Sequence, residues 1–299
     1  MNHSNQKNNR RPVSASAVTR LVIWSVVLCI LVAVLIVGLL PDFAGLFTGL
    51  SMGGFRYDDS GYHVGGGSSD ERITDISVEW LAGSVTVVPA EGDEISISDD
   101  YRGEDRDLEL RWVIRNGELS VKYRAPAWIL KSTVNKNLTL AIPASMLENL
   151  REVEIDGVDC DVHFEGNADE LSLDMVDGAV DIRGDIGELS LNAVNGGLTF
   201  RGGVREAELD CVDAEAVMHL EMGAELNFDF VDGDVTLYLS DEITGFSAEM
   251  DLVDGDLALD GFDGATVNGR KSARWGDGGL RILVDGVDCQ LNIKKETKD

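Results

Sequence analysis

Apolar residues recur at fixed intervals through the second half of the chain, around a short phrase that reads Val-Asp-Gly or a close variant. The repeated valines lie 18, 18, 18, 19, 22 and 34 residues apart and are Val158, Val176, Val194, Val212, Val231, Val253 and Val287. The positions three before each valine, and four and six after it, are apolar in every copy. Apolar residues at every second position are the pattern of a β-strand with one buried face.

Each copy therefore predicts two short strands joined at the Asp-Gly bend. An Asp-Gly pair is also typical of an antiparallel hairpin, so a meander of hairpins is one architecture to consider. The short period, and the persistence of the same apolar positions, favour a different architecture. They predict an all-β fold whose copies stack as a parallel β-solenoid of roughly 18–22-residue, two-strand coils. Equivalent residues would then lie above one another about 4.8 Å apart.

An insertion over residues 90–150 interrupts the repeat and is predicted to cap one end of the stack. Residues 73–150 would thus form a first coil plus the capping insertion, and residues 151–299 would form the solenoid repeats. The C-terminal segment LNIKKETKD is expected to finish the other end. Lysines on such a last strand would discourage edge-to-edge aggregation.

Two local signals stand inside the insertion. Asn116-Gly117 lies between two alternating runs, which predicts a β-hairpin. Ser145 and Glu148 have the spacing of a capping box, which predicts a short helical turn after Pro143.

Residues 21–40 form an apolar run without a charged residue. Twenty residues of helix span about 30 Å, the thickness of a bilayer core, so the run predicts one transmembrane helix with the lipid bilayer as its partner. Basic residues occur before the run, and every acidic residue of the chain follows it. The positive-inside rule then makes residues 1–20 a disordered cytoplasmic tail and places the rest outside the cell membrane, beginning with a flexible Gly/Ser-rich tether at 41–72. The alternative, a cleaved signal peptide, should have a shorter apolar core of about 7–15 residues.

The chain is strongly acidic, with 54 Asp and Glu against 25 Lys and Arg and a formal net charge of −29 over 299 residues. Nucleic acid is not an expected partner, because its binding relies on Lys and Arg that neutralise phosphates. The sequence contains no nucleophile elbow, phosphate loop or histidine metal motif. We therefore expect no catalytic residue and a protein that is not an enzyme.

Three segments together resemble the bacterial "putative adhesin" β-strand-repeat family. They are ISVEWLAGSVTVVPAEGDEISI, LTLAIPASMLENLREVEI and the VDGDV-type repeats, and the resemblance covers about residues 73–293. It implies a β-solenoid at the cell envelope, in a domain of unknown function often found behind an N-terminal membrane helix. It implies no catalytic residues, and it links some relatives to envelope-stress systems or to surface attachment.

Acidic residues form two rows beside the repeated valines. The first row lies two positions before each valine and the second row one position after it. The candidate site residues in these rows are Asp156, Asp159, Asp174, Asp177, Asp210, Asp213, Asp229, Asp232, Asp251 and Asp254. Stacked carboxylates repel by about 1 kcal/mol per pair in water, so some compensation is expected.

Two explanations of the rows stay open. Asp and Asn at a bend form Asx-turns, and an acidic surface keeps a secreted repeat protein soluble. Asn192 and Asn195 interrupt the two rows in the same copy and would relieve the repulsion. The other explanation is Ca²⁺ bound along the rows, since Ca²⁺ takes carboxylate and backbone oxygens. No other cofactor is expected.

One basic cluster stands in this acidic domain and consists of Arg270, Lys271 and Arg274 beside Trp275. An aromatic ring with guanidinium groups nearby suits a sugar or an anionic polymer, which makes these residues a candidate partner contact. In the alternative, the tryptophan fills a core and the basic loop is only solvated.

The remaining candidates for chemistry are cysteines and histidines. Cys160, Cys211 and Cys289 are expected to be free thiols, because a stacked arrangement separates them beyond the reach of a disulfide. His163 and His219 are expected to point outward in different copies, too far apart for a shared zinc or acid-base site.

The sequence thus predicts a non-catalytic, single-pass membrane-anchored extracytoplasmic β-solenoid for surface adhesion or cell-envelope organisation, with an envelope protein or glycan as partner. A sensory or regulatory ectodomain that acts through an envelope-stress membrane partner is the alternative, because the short cytoplasmic tail would need a partner to pass a signal inward. A polysaccharide-acting enzyme is a remote third, because no Lys, Arg or His group recurs beside the acidic rows.

Overall fold

The computed structural model describes residues 61–123 and 134–296, and this part of the chain is almost entirely β. Its strands are β1 (His63–Val64), β2 (Gly67–Ser69), β3 (Asp75–Ala90), β4 (Ile95–Asp99), β5 (Arg111–Arg115), β6 (Glu118–Lys122), β7 (Lys136–Pro143), β8 (Leu150–Glu165), β9 (Ala168–Arg183), β10 (Ile186–Leu239), β11 (Gly245–Asp260), β12 (Thr266–Asn268), β13 (Ser272–Gly276) and β14 (Leu280–Lys295). A 3₁₀ turn lies at Arg106–Leu108, and the four-residue helix α1 is Ala144–Leu147. The expected all-β fold class is confirmed.

Within the described ranges, no helix has the length and apolar character needed to cross a membrane. The predicted tail (1–20), the predicted transmembrane helix (21–40) and most of the predicted tether (41–72) lie outside those ranges.

The long strands pair in parallel, and each step brings equivalent residues of the repeat side by side. Val162 of β8 lies opposite Val180 of β9, which lies opposite Leu198 of β10. All three side chains are buried, so the alternation read from the sequence places one face of each strand in the core. This pairing differs from a meander of hairpins, because a tight two-residue turn joins only antiparallel strands.

The C-terminal strand β14 lies inside the sheet, and the prediction that it finishes one end is wrong. It pairs in parallel with β10, where Leu239 is opposite Lys295, and with β11, where Asp260 is opposite Lys294. The longest step of the repeat, 34 residues, contains the β12–β13 hairpin. Strand β13 pairs with the start of β11, and the chain then continues into β14. Lys294 and Lys295 therefore do not lie on an edge strand, and Lys295 instead forms an ion pair with Asp241 at 3.2 Å.

Two inward positions at each bend share one space in the core: the residue before the repeated valine and the residue two after it. In the first copy these are Gly157 and Cys160, and a Cβ on Gly157 would lie 3.2 Å from Cβ of Cys160. In the second copy the order is reversed to Met175 and Gly178, and a Cβ on Gly178 would lie 2.9 Å from Cε of Met175. Each of these two copies thus pairs a larger residue with a smaller one, as close-packed interiors require.

The third copy departs from this pairing. Its two inward residues, Ala193 and Gly196, are both small. A core void of about 10 Å³ lies beside them and is also lined by Met175, Cys211 and Phe230. The third copy therefore leaves the shared space underfilled, unlike the first two copies.

Strands β4–β7 and α1, which we call the cap, lie beside β3, which pairs in parallel with β6 and β7. The predicted hairpin is confirmed: β5 and β6 pair antiparallel across Asn116 (φ 54°) and Gly117 (φ 87°), the two positive values that a type I′ turn needs. The helical turn after Pro143 is confirmed as α1. The capping box is wrong, because Pro143 itself is the N-cap, so Ser145 lies inside the helix and Glu148 ends it.

Lys136 is fully buried at the centre of the cap. Its Nζ lies 3.2 Å from Oδ2 of Asp99, donates to the carbonyl of Leu108 at 2.8 Å and also donates to the carbonyl of Tyr123. The same nitrogen stands 4.8 Å from the centre of the Trp80 ring. Desolvation lowers the pKa of Lys136, and the neighbouring Asp99 opposes that shift. This buried cation joins three separate stretches of the chain.

Candidate functional site

The strand register places the first acidic row in one line. Asp156 lies opposite Asp174, and Asp174 lies opposite Asn192. The amide of Asn192 donates to Oδ1 of Asp174 at 2.7 Å. An asparagine between carboxylates therefore replaces a repulsion with a hydrogen bond, as the sequence predicted.

The second acidic row follows the same register. Asp159 lies opposite Asp177, which lies opposite Asn195, and the Asn195 amide donates to Oδ2 of Asp177 at 3.3 Å. Toward the other end, β14 adds a member to each row. Asp285 stands between Asp229 and Asp251, and Asp288 between Asp232 and Asp254. At that end three carboxylates follow one another with no asparagine between them.

Two carboxyl groups of β8, in and beside the first acidic row, have raised pKa values. Partial desolvation raises the pKa of Asp156, and the charges of Asp174 and Glu79 add to the rise. Desolvation also raises the pKa of Glu154, with Asp156 as the next cause. Because a raised pKa means that the folded state holds its proton more tightly, these groups favour folding at acid pH and cost stability as the pH rises.

The described residues contain no group of three or more His, Cys, Asp or Glu side chains placed to hold a metal ion. Ca²⁺ binding along the acidic rows stays a prediction, to be tested in solution.

The repeated valines form an exposed row between the two acidic rows. Their exposed fraction runs from 39% at Val212 to 83% at Val253. They lie at the corner of each copy, where two successive residues face outward between the two inward positions. Contiguous exposed apolar residues on a soluble surface often mark an interaction site. We call the valines and the two acidic rows together the valine–aspartate edge.

The basic cluster lies around the β12–β13 hairpin, against the last copy of the edge. Arg270 bonds within the chain, with its Nε 2.7 Å from Oδ1 of Asp256 and its Nη1 3.8 Å from Oδ1 of Asp254. The structure thus brings Arg270 to the end of the second acidic row, a meeting of the two candidate sites that the sequence did not indicate.

The other members of the cluster also contact their own chain. Trp275 packs on Phe246 and Phe262, with ring centroids 6.3 and 5.0 Å apart, and is partly buried. Arg274 donates to the carbonyl of Asp277 at 2.8 Å, and the exposed Lys271 accepts a backbone hydrogen bond through its carbonyl. A role of this cluster in partner contact stays a prediction.

A groove of about 500 Å³ crosses the outer face of β3, β8, β9 and β10. Ala179 and Gly197 form part of its floor, between Asp161 and Glu215. His163 faces Asp181 across it, with Nδ1 3.1 Å from Oδ2. The groove joins side chains from strands that are far apart in sequence.

His219 has a separate environment in the next part of β10. Its ring stacks on Tyr238 with centroids 4.5 Å apart, and its Nδ1 lies 3.0 Å from Oε1 of Glu296. His163 and His219 therefore each have their own acidic partner, and no contact joins the two within the described residues.

All three cysteines of the described ranges are free, as the sequence predicted, and all three are buried. Burial raises the pKa of the Cys160 and Cys211 thiols to about 12 and that of Cys289 to about 11. Such thiols stay protonated and are poor nucleophiles at neutral pH.

The groove and the exposure of the valines were missed by the sequence reasoning. The signal for the groove is the position three residues after each repeated valine, where Ala179 and Gly197 follow Asp161 and precede Glu215. The exposure of the valines could have been inferred because they do not share the alternation of the apolar positions on either side of them.

The chain matches no protein-family model. A search of curated proteins finds no relative either.

Solved structures that are similar to this chain come from several bacteria. One is a putative cell adhesion protein from Clostridium sporogenes, with 13% identity and a TM-score of 0.35, where the match covers 78% of this chain and 100% of that one. Others are putative adhesins from Parabacteroides merdae (9% identity, TM-score 0.39, 78% and 96% covered) and Bacteroides fragilis (12%, 0.25, 77% and 97%).

Proposed function

We propose that this chain is a non-catalytic, single-pass membrane-anchored β-solenoid whose extracytoplasmic part serves surface adhesion or cell-envelope organisation. The observation that carries the proposal is the valine–aspartate edge. It presents the same three residues in one copy after another: an acid or its amide, a valine, and a second acid or its amide.

A repeated surface of this kind suits adhesion better than catalysis. Many weak, identical contacts along a row add up to strong attachment, because each contact raises the effective concentration of the next. An exposed valine would bring apolar contact, and its acidic neighbours would select partners that bring positive charge or hydrogen-bond donors. An enzyme instead needs a few different groups that converge on one substrate.

Two further features support the architecture in the proposal. The parallel register of β8, β9 and β10 repeats every 18 residues, which favours coils of one solenoid. The apolar run at 21–40, with basic residues only on its N-terminal side, favours a membrane anchor with the repeats outside.

The membrane topology is tested by labelling single introduced cysteines on intact cells. Glu91→Cys places a thiol at an exposed site, and Ser4→Cys places one in the predicted cytoplasmic tail. We expect a membrane-impermeant maleimide to label Glu91→Cys in intact cells and Ser4→Cys only after lysis. The native Cys160, Cys211 and Cys289 are buried and give little background. The reverse labelling pattern would contradict the proposed orientation.

Adhesion is tested with cells that produce the full-length protein. We expect more of these cells than of vector-only cells to stay attached to a surface coated with isolated bacterial envelope fragments. Equal attachment of the two, at confirmed surface display, would remove the proposed function.

A further inference from the structure

The groove on the outer face of β3, β8, β9 and β10 is an elongated site, distinct from the valine–aspartate edge. It crosses five neighbouring strand segments, from Thr86 on β3 to Val217 on β10. At about 4.8 Å per strand this makes the groove roughly 19 Å long. A linear chain molecule laid across the strands fits that shape.

The floor of the groove contains a glycine that the backbone does not require. Gly197 has no positive φ, and a Cβ there would meet only the carbonyl oxygen of Glu215 at 3.6 Å, an ordinary contact. The adjacent Gly196 differs, because a Cβ there would lie 2.4 Å from the carbonyl oxygen of Gly178. A glycine inside a strand weakens it and often marks a place where a ligand approaches closely. The missing side chain at 197 keeps the floor open.

The centre of the groove contains a fixed array of polar groups. Oδ2 of Asp181 lies 3.1 Å from Nδ1 of His163 and accepts a hydrogen bond from Arg183 at 3.0 Å. Oδ1 of Asp181 is buried and receives no hydrogen bond from any described residue. The carboxylate of Asp181 is held in place by His163 and by its ion pair with Arg183, so the acceptors open to a ligand are those of the neighbouring walls.

The walls around this array are rich in acceptors. Asp161 and Glu215 are carboxylates, and Oδ1 of Asp161 already accepts the backbone N–H of Ala179 at 2.8 Å. Thr86 and Thr199 add hydroxyl groups. The ligand that fits must therefore bring mainly donors, and positive charge is favoured over negative charge.

This chemistry separates sugar chains from peptides. The floor lies on the faces of paired strands, so a peptide finds no free strand edge on which to pair its own backbone. Its carbonyl groups would face acceptors and stay unpaired, which is costly. A sugar hydroxyl both donates and accepts, and a free amino group brings three donors and a positive charge.

We infer that this groove binds a linear sugar chain that carries free amino groups. The amino groups lie near Asp161 and Glu215, and the chain passes over Ala179 and Gly197. This adds a ligand and a second surface to the protein, beyond the contact proposed for the valine–aspartate edge.

The test is calorimetric titration of the full-length protein in detergent with three hexasaccharides: β-1,4-linked glucosamine, its fully N-acetylated form and an oligogalacturonate. We expect the glucosamine hexamer to bind, the N-acetylated form to bind at least about tenfold more weakly, and the anionic hexamer not to bind. Absence of glucosamine-hexamer binding, or equal binding of the N-acetylated form, overturns the inference.

Substitutions place the binding in the groove. Gly197→Leu fills the floor at a position that tolerates a Cβ, and we expect at least about tenfold weaker binding. Gly92→Leu is the matched control, since a Cβ there meets nothing within 4 Å and the residue does not line the groove, and its binding should be unchanged. Equal binding by Gly197→Leu and the unsubstituted protein overturns the inference.

A second variant changes charge without changing shape. Glu215→Gln alters an exposed side chain, and we expect it to reduce the preference for the amino form over the N-acetylated form. An unchanged preference, or tighter binding of a lysine hexapeptide than of the glucosamine hexamer, overturns the inference. Titration does not depend on cell attachment, so its outcome is independent of the adhesion assay.

Discussion

The repeat strands and the cap bury their interiors by different means. In the repeat, a filled bend holds one larger and one smaller residue, as with Met175 and Gly178, and the contacts are between equivalent positions of adjacent copies. In the cap, one cation, Lys136, is held by Asp99 and by the carbonyls of Leu108 and Tyr123. The repeat is thus filled by the same kind of local packing at successive bends, whereas the cap depends on one cluster of contacts between residues far apart in the sequence.

This difference sets how each region responds to change. A substitution in the repeat disturbs one bend, and the partner position of the same bend can compensate. Loss of a member of the Lys136 cluster leaves buried polar groups without partners, and no equivalent position can replace it. We therefore expect large, uncompensated losses of stability in the cap and smaller, reciprocal ones in the repeat.

The largest effect is expected from Lys136→Ala. It leaves the nearly buried Asp99 carboxylate and two carbonyls without their donor, and removal of one partner of a buried ion pair costs about 3–5 kcal/mol. Lys122→Ala is the control, because Lys122 pairs with Glu79 at 2.8 Å in a more exposed setting, where about 1 kcal/mol or less is expected. Urea unfolding gives both values, and equal losses would contradict the contrast between cap and surface.

A larger side chain at the inward bend position should have opposite effects on the stability of a filled bend and of an underfilled bend. Gly157→Met should destabilise by about 1–3 kcal/mol, because Cys160 already fills the space, and Cys160→Gly in the same chain should recover part of the loss. Ala193→Cys adds one heavy atom, which the void of about 10 Å³ beside Gly196 has room for, and should instead stabilise by about 0.5 kcal/mol. Loss of stability in both single variants, measured by urea unfolding, would refute the shared-space account.

A charge introduced into the first acidic row is expected to cost about 1 kcal/mol. Asn192→Asp removes the amide that donates to Asp174 and puts a third carboxylate in line with Asp156. The loss should shrink in about 1 M salt, where the Debye length is near 3 Å. Asn268→Asp, on the exposed β12 strand, serves as the control. A salt-independent loss at Asn192 would show that packing, not repulsion, is responsible.

The smallest effect concerns pH. The raised pKa of Glu154 costs stability as the pH rises above its ordinary value of 4.5, so Glu154→Gln should be slightly more stable at pH 7, by well under about 1 kcal/mol. The gain in stability should vanish below pH 4.5.

The hydrogen-bonded Arg151 lowers the pKa of Asp75, so Asp75→Asn should show the opposite sign: a loss of stability at pH 7 that fades as the pH falls below 3.8. Thermal unfolding midpoints of the Glu154→Gln and Asp75→Asn variants, measured from below pH 3.8 to pH 7, test both predictions.

Periodic features of the fold were predictable from the sequence, because a strand buried on one face repeats its pattern every second residue. The buried residues at Val162, Val180 and Leu198 followed from that pattern, and the Asn116-Gly117 hairpin followed from its turn chemistry. The insertion of β14 between β10 and β11 was not predictable, since all copies carry nearly the same apolar pattern and nothing in it fixes their spatial order.

The candidate site shows the same division. The register of the acidic rows, and the bonds of Asn192 and Asn195 within them, follow from the repeat. The groove depends on which of several stacked positions happens to be small, as at Gly197, and on side chains from different copies that become neighbours only when the register is known. The Lys136 cluster depends on contacts between residues up to 56 positions apart, as in the hydrogen bond from Trp80 to its carbonyl.

The central claim, that the valine–aspartate edge serves attachment, is tested most directly by removing its apolar row. Threonine keeps the shape and strand preference of valine, so Val176, Val194 and Val212 are replaced by threonine together. Val64, Val134 and Val267, exposed outside the edge, receive the same change as control. We predict at least about tenfold weaker attachment of displaying cells to envelope fragments for the edge variant, and unchanged attachment for the control. Undiminished attachment by a folded, correctly displayed edge variant would contradict the claim.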